Sequence, residues 1–236
     1  MNGTKYWTWH MTAGVVILVL LGAPGAGKGT QARVLAGSLG IPHIATGDLF
    51  RAEARAGTPL GLEARAYMER GELVPDAVTI DLLLARLARP DAGAGAILDG
   101  FPRTRIQAAA LDEALAARGS GVDQALLIEV DDDVLVSRLS SRWICSADGG
   151  HVYNLVSMPP RVSGHCDLDG AALVQRDDDR PETVRARLAA QLGALADVVS
   201  YYRERGLLQP VDGATSIDGV GRALLAAVRA PLREGA

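Results

Sequence analysis

Aromatic residues are scarce in this 236-residue chain: Phe, Trp and Tyr make up 4% of it, with two Phe. Hydrophobic residues still reach 48%, so a sizeable core is available, but Ala and Leu must fill it. Cysteine is nearly missing as well. Cys145 and Cys166 are too few for a disulfide framework, and a reducing, cytoplasmic setting is the simplest expectation. Nor is positive charge in surplus: Lys and Arg number 24 against 28 Asp and Glu, a net charge of −4. That balance argues against a general nucleic-acid binder, which shows a basic excess. No apolar run is long enough to span a membrane, and no internal repeat or low-complexity linker interrupts the chain. The length suits one α/β domain with insertions, or one domain and a half.

What is present is a glycine-rich stretch, Gly22-Ala-Pro-Gly-Ala-Gly-Lys28-Gly-Thr30, directly after the apolar run Val15–Leu21. That run is short, continuous and β-branched, the pattern of a strand buried on both faces. Gln31 to Leu39 reads as a helix. Between them, Gly22-x4-Gly27-Lys28-Gly29-Thr30 has the spacing of a phosphate-binding loop, with one glycine inserted before the hydroxyl residue. Glycines let successive backbone N–H groups converge on one anion, and the following helix turns its positive end to the same point. Lys28 can reach the β/γ phosphates and Thr30 can set a hydroxyl near a phosphate or Mg²⁺. A chance glycine-rich turn is the competing reading, and it leaves the strand–loop–helix order unexplained. Lys5 ahead of Gly14–Leu21 has the outline of a signal peptide, but cleavage there would destroy the loop. Met1–His10, with Trp7 and Trp9, reads as an appendage, and Met11 as an alternative start.

Further along, Gly40–Ala45 reads as a second strand, and Thr46 is placed to N-cap the helix Leu49–Ala56. Gly57-Thr-Pro59 breaks that helix, Leu60–Arg70 forms another, and Pro75 suits the start of a helix running to about Ala88. This run of short helices between two strands has the look of a mobile flap. Gly95–Asp99 is the next strand, with Asp99 at its end where a Walker-B-type carboxylate would stand near Mg²⁺. Thr104 opens a helix to about Arg118, Gln124–Val130 is a fourth strand, and Asp131–Asp133 cap a helix ending near Ser141. From Arg142 to Asp179 helical and strand patterns give way to glycine, proline and polar residues. Pro181 begins a long helix to about Arg205, Leu207–Val211 is a fifth strand, and Asp218–Val228 a last helix. Strands alternating with helices call for a parallel sheet covered on both faces.

The segments GAPGAGKGTQA (22–32), TGDLFR (46–51), LDGFPRTRIQA (98–108) and RDDDRPETVRARL (176–188) resemble the signature segments of adenylate kinases of the long-lid type, in order and spacing, from about Val15 onward. The resemblance implies a P-loop NTPase-type α/β fold: a five-stranded parallel sheet with helices on both faces, a flap that binds a nucleoside monophosphate, and a lid. The implied division is an N-terminal extension at 1–14, a core at 15–44, 75–140 and 180–236, an AMP-binding flap at 45–74 and a lid at 141–179. The implied reaction is ATP + AMP ⇌ 2 ADP with Mg²⁺, by a monomer with ATP, AMP and ADP as its partners and neither nucleic acid nor membrane among them.

Such a transfer moves a phosphoryl group to an acceptor that is already anionic, so charge neutralisation and in-line positioning matter more than a general base. Lys28, Arg51, Arg103, Arg138, Arg142, Arg176 and Arg187 fall at or beside the family's motif positions, and the planar guanidinium suits phosphate oxygens. By resemblance, Lys28, Arg103, Arg138, Arg142, Arg176, Arg187 and Asp99 form the catalytic set, Asp99 ordering the Mg²⁺ hydration shell. The ATP site takes Gly25, Ala26, Gly27, Lys28, Gly29, Thr30, Arg142, Val152, Tyr153 and Thr215. The AMP site takes Thr46, Arg51, Glu72, Leu73, Val74, Gly100, Phe101, Pro102, Arg103, Gln107, Arg176 and Arg187. Thr46 can serve as cap and AMP contact both. Many relatives carry a lid zinc on two ligand pairs. Here Cys145-x2-Asp148 and Cys166-x2-Asp169 have the spacing for a tetrahedral clip, with carboxylates replacing two thiolates and His151 and His165 near enough to substitute. A metal-free lid held by hydrogen bonds at the same places is the other reading. Beyond AMP, a UMP/CMP-type kinase and a non-catalytic nucleotide-binding protein are the alternatives. The long insertion and the Thr46/Gln107 pair favour AMP, and no key cation is missing.

Overall fold

A computed structural model describes residues 15–148 and 150–229; the N-terminal appendage proposed above lies outside them. In chain order the elements are β1 (Val16–Leu21), α1 (Lys28–Leu39), β2 (His43–Ala45), α2 (Thr46–Arg55), α3 (Pro59–Glu69), α4 (Asp76–Leu87), β3 (Gly95–Asp99) and α5 (Arg105–Ala116). There follow β4 (Gln124–Glu129), α6 (Asp132–Ser140), β5 (Arg142–Cys145), β6 (Val152–Asn154), β7 (Leu173–Val174), α7 (Pro181–Glu204), β8 (Leu208–Asp212) and α8 (Ile217–Arg229).

The main sheet is parallel throughout, in the order β2-β3-β1-β4-β8. Its central strand is the apolar run read first from the sequence. Alternate residues of β1 enter opposite layers. Ile17, Val19 and Leu21 pack with Leu83 of α4, Leu111 of α5 and Tyr202 of α7. Leu18 and Leu20 pack with Ala32 and Leu35 of α1 and Leu224 of α8. Burial on both faces is why the strand shows no polar alternation. The sheet reverses its strand order beside β1, and the glycine loop emerges at that switch point, where open α/β sheets bind ligands. The few aromatics are used for volume: Phe101 and Tyr202 are among the largest fully buried side chains.

The chain leaves this sheet twice. Between β2 and β3 run α2 and α3, packed closely enough that a Cβ on Gly61 would collide with the α2 backbone at Glu53 and Ala54. Thr58 caps α3, accepting from the Gly61 amide at 3.1 Å. Between α6 and α7 the chain forms a second, antiparallel sheet in the order β6-β5-β7, where the sequence offered no strand pattern. Strands of two to four residues are too short to display a period. A second correction concerns Thr46. It is the first residue of α2, Ala45 occupies the cap position, and no side chain caps the helix. The Thr46 hydroxyl instead donates to the Gly100 carbonyl at 2.8 Å, tying the flap to the end of β3.

Gly95 takes φ +134, and a Cβ there would come within 2.8 Å of the Val16 nitrogen and nearer still to its carbonyl oxygen. Gly95→Ala is expected to cost about 3 kcal/mol or more. Gly37, in α1 with open space around it, is expected to gain about 0.5–1 kcal/mol as Ala. Chemical denaturation of the two variants beside the parent checks both signs.

Candidate active site

The loop between β1 and α1 owes its path to glycine. Gly22, Gly25 and Gly27 all have positive φ, and a Cβ on Gly22 would stand 2.8 Å from the Ile128 carbonyl. Gly27 precedes α1 without a side-chain cap bond, and no acidic residue lies in the helix's first turn. The unpaired amides and positive end of α1 are thereby left for an anion. Lys28 donates to the Gly22 and Ala23 carbonyls at 2.7 and 2.9 Å. Asp99, at the end of β3, faces this loop; a Cβ on Gly29 would be 3.4 Å from its carboxylate. His43 of β2 holds the same carboxylate oxygen at 3.2 Å. Burial pushes the Asp99 pKa up, but the His43 hydrogen bond and the Lys28 charge outweigh it, leaving it below the ordinary value and ionised.

A cleft of about 1090 Å³ opens here. Of the residues expected at the site, Gly25–Thr30, Thr46, Arg51, Glu72–Val74, Asp99, Gly100, Arg103, Gln107, Arg138, Arg142, Val152, Tyr153, Arg176, Arg187 and Thr215 line it. The cations are crowded. Arg142 forms a two-pronged pair with the fully buried Asp179, Nε to Oδ2 at 2.6 Å and Nη2 to Oδ1. Arg187 reaches Asp178 at 3.0 Å and Asp179 at 3.1 Å. Burial first, then the charges of Arg103, Arg187 and Arg142, depress the Lys28 pKa to about 8. Burial and Arg187 bring Arg103 to about 10, and burial with Arg51 and Arg142 brings Arg176 to about 9. Arg103 and Arg176 stay charged at neutral pH even so, in a site that favours an incoming anion.

On the flap side, Arg51 pairs with Asp48 at 2.6 Å. Arg103 donates from Nε to the Gly100 carbonyl and from Nη1 to Gln191, both at 2.8 Å. The Gln107 amide is spent on two neighbours, accepting from the Arg103 backbone N–H and donating to Asp76, again both at 2.8 Å. Two expected AMP contacts are placed elsewhere. Phe101 is 1% exposed and packs into the core beneath the sheet, because the loop after Gly100 turns its large side chain inward. Pro102, joined to Phe101 by a cis peptide, lines a small adjoining cavity of about 40 Å³.

On the lid side, Arg138 donates to the Gly213 carbonyl at 3.2 Å, linking α6 to the loop that carries Thr215. Cys145, Tyr153, Cys166 and Leu173 form the lid's own buried cluster. Cys145, His151, Cys166 and Asp169 bring one donor atom each to within 4.8 Å of one another, a group able to hold a metal ion. Cys145 Sγ is 3.2 Å from Asp169, Cys166 Sγ 3.4 Å from His151 Nδ1, and His151 Nδ1 3.2 Å from Asp169. Asp148 is not in that group: its carboxylate accepts from the Gly150 amide at 2.8 Å and faces the other ring nitrogen of His151 at 3.4 Å. The loop turns through Asp148, and the ring next along reaches the cluster instead. His165 bonds the Ser163 carbonyl.

Comparison with known proteins matches residues 20–207 to the adenylate kinase family model. Curated relatives described as adenylate kinase include one from Moorella thermoacetica, 51% identical over 88% of this chain and 97% of the relative. Those of Bacillus subtilis and Enterococcus faecalis are 50% and 48% identical, each over 86% of this chain and 93% and 94% of the relatives. The chain belongs to the adenylate kinase family.

Several cleft residues of this adenylate kinase family member were missed in the sequence. Asp178 lies inside a quoted motif, as does Asp179 buried behind the cleft, but their role as counter-charges is a tertiary fact. His43 and Gln191 carry no local signal, since each acts on a segment far away in the chain. The Lys28 shift has a readable consequence. Phosphates at the loop raise its pKa back toward the ordinary value, so nucleotide binding above about pH 8 takes up a proton. ATP affinity is expected to hold level below pH 8 and to fall by up to about tenfold per pH unit above it. Calorimetric titration at pH 8.5 in buffers of differing ionisation enthalpy measures the proton; zero uptake would contradict the assignment.

Proposed function

We propose that this protein catalyses reversible phosphoryl transfer from MgATP to AMP, giving two ADP. The observation that carries the reading is that one cleft, at the top of the usual range of ligand-pocket volumes, is lined both by the glycine loop with Lys28 and by the Thr46, Arg51 and Arg103 segments. Two phosphate-binding regions face each other across it. The terminal phosphoryl group leaves the β-phosphate oxygen of ATP and bonds to a phosphate oxygen of AMP.

In this reading the loop amides and Lys28 hold the donor's phosphates, with Val152, Tyr153 and Thr215 on the donor's nucleoside. Arg51 and Arg103 hold the AMP phosphate, and Thr46, Gln107 and the backbone of Glu72–Val74 take its nucleoside. Arg138, Arg142, Arg176 and Arg187 neutralise the charge that spreads over the transferring group. Asp99 and Thr30 stand where the Mg²⁺ of the donor complex and its waters would be met. Segments 45–74 and 141–179 act as flap and lid, excluding water that would otherwise take the phosphoryl group. The protein works as a monomer in this reading, with ATP, AMP and ADP as its partners. Among the described residues no helix is long and apolar enough to cross a membrane. A coupled assay with ATP against AMP, UMP, CMP and GMP is expected to show AMP at least about a hundredfold ahead in kcat/KM, the discrimination that hydrogen-bonding sites reach. Equal use of UMP or CMP would overturn the choice of acceptor.

The lid reading is a structural zinc on Cys145, His151, Cys166 and Asp169. Soft thiolates with imidazole and carboxylate are a donor set zinc accepts, and the spacings suit ligands about 2.0–2.3 Å from one centre. Four buried residues are too small a core to hold a lid alone. A bound ion would cross-link β5, the turn just before β6 and the loop before β7, and both thiols must stay reduced, as they would be in a cytoplasmic location. Protein purified without added metal is expected to carry about one zinc per chain, lost in Cys145→Ser, with melting lowered by chelator. Metal-free protein whose melting ignores chelator would leave the hydrogen-bonded lid as the answer.

A further inference from the structure

Gln191 lies on α7 one turn beyond Arg187. It is 9% exposed, yet borders the cleft. Its side-chain oxygen accepts from Arg103 Nη1 at 2.8 Å, and its amide nitrogen donates to the Gly71 carbonyl at 3.3 Å. The amide has only this orientation open to it, since the flipped form would set NH₂ against a guanidinium and oxygen against a carbonyl. Gly71, just past α3, takes φ +74, and a Cβ on it would stand 3.1 Å from the Arg187 Cβ and 3.2 Å from its Cα and nitrogen. The end of the flap is therefore pressed onto α7 at Arg187 and tethered at Gln191. One buried amide joins the flap's last turn to an arginine of the cleft.

We propose that Gln191 is a positioning residue that couples filling of the monophosphate site to release of the flap's end from α7. The inference rests on the reading that Arg103 holds the AMP phosphate. In this proposal a phosphate seated on the terminal nitrogens of Arg103 draws the Nη1–H away from Gln191, while the Nε bond to Gly100 holds the arginine in place. A charged phosphate oxygen is the stronger acceptor for a guanidinium than a neutral amide oxygen. The exchange leaves the Gln191 oxygen without its donor and loosens the amide's hold on Gly71. AMP binding and release of the flap's tether are then one event, reached without any contact between Gln191 and the transferring group.

Two variants of similar volume separate this from a packing role. Gln191→Leu removes the competitor for Arg103 as well as the tether. Gln191→Glu sets a carboxylate against Arg103 and repels the Gly71 carbonyl. Calorimetric AMP binding and steady-state kinetics with each substrate varied are measured on both variants and the parent. The expected result is a split in sign: AMP binds several-fold tighter to Gln191→Leu and about tenfold more weakly to Gln191→Glu, with KM for ATP within about twofold of the parent in each. Equal weakening of AMP in both variants, ATP and AMP parameters moving together, or no change in either overturns the coupling. Failure of the parent to bind AMP overturns the functional reading, and this inference with it; normal parent binding with any of those variant results overturns the inference alone.

Discussion

Like charges gathered in one cleft are the constraint to which much of the rest answers. Lys28, Arg103, Arg142, Arg176 and Arg187 all border the same space. Such a group holds together only with buried counter-charges, and the fold supplies them from different places: Asp99 from the end of β3, Asp178 and Asp179 from the turn ahead of α7. An isolated buried charge costs several kcal/mol, and removing one partner of such a pair costs about 3–5 kcal/mol. The arrangement among the protein's own groups is thus balanced but not relaxed: burial and neighbouring arginines hold the Lys28 pKa down at about 8. Nucleotide phosphates complete the balance. Groups fixed in advance around developing charge need little reorganisation when the reaction occurs.

What could be read from the chain alone follows from how local each signal is. β1 and the glycine loop were legible because a doubly buried strand and a left-handed glycine path both leave marks within a few residues. β3 was placed to the residue, since Gly95 and Asp99 bound it at both ends. The lid sheet was not legible, because a strand of two residues such as Leu173–Val174 has no periodicity to detect. Thr46 illustrates a competition between neighbours and distant partners: it has the chemistry of a cap, but the carbonyl at Gly100 claims its hydroxyl. Asp148 stands outside the lid's donor cluster for the opposite reason, a local one. Its carboxylate turns back onto the Gly150 amide, and His151 rather than Asp148 brings a donor atom to within 4.8 Å of Cys145, Cys166 and Asp169. Gln191 left no trace at all, because everything it does depends on segments 88 and 120 positions away.

The shortage of aromatics also has a structural counterpart. Both layers of the core are built mainly from Leu, Ile, Val and Ala, whose modest volumes allow helices to lie close on the sheet. Glycine is required for a different reason at two places where backbones meet: Gly61 against α2, and Gly95 against Val16 of the neighbouring strand. Tyr201 and Tyr202, packed edge to face with centroids 5.3 Å apart, supply bulk where α7 crosses the layer beneath β1. The polar end of Tyr201 finds Asp112 at 2.6 Å and its ring lies under Arg205, so its outer edge is anchored by charge where its body is held by packing.

The pair between Arg142 and Asp179 joins residues 37 positions apart, at the two points where the lid insertion leaves and rejoins the core. The lid is in effect a closed ring hung from one clasp. A ring whose ends already meet can change its length or its internal cross-links without disturbing the register of the sheet beneath. Selection can therefore rebuild the lid as a separate part, provided the clasp and the arginines facing inward are kept.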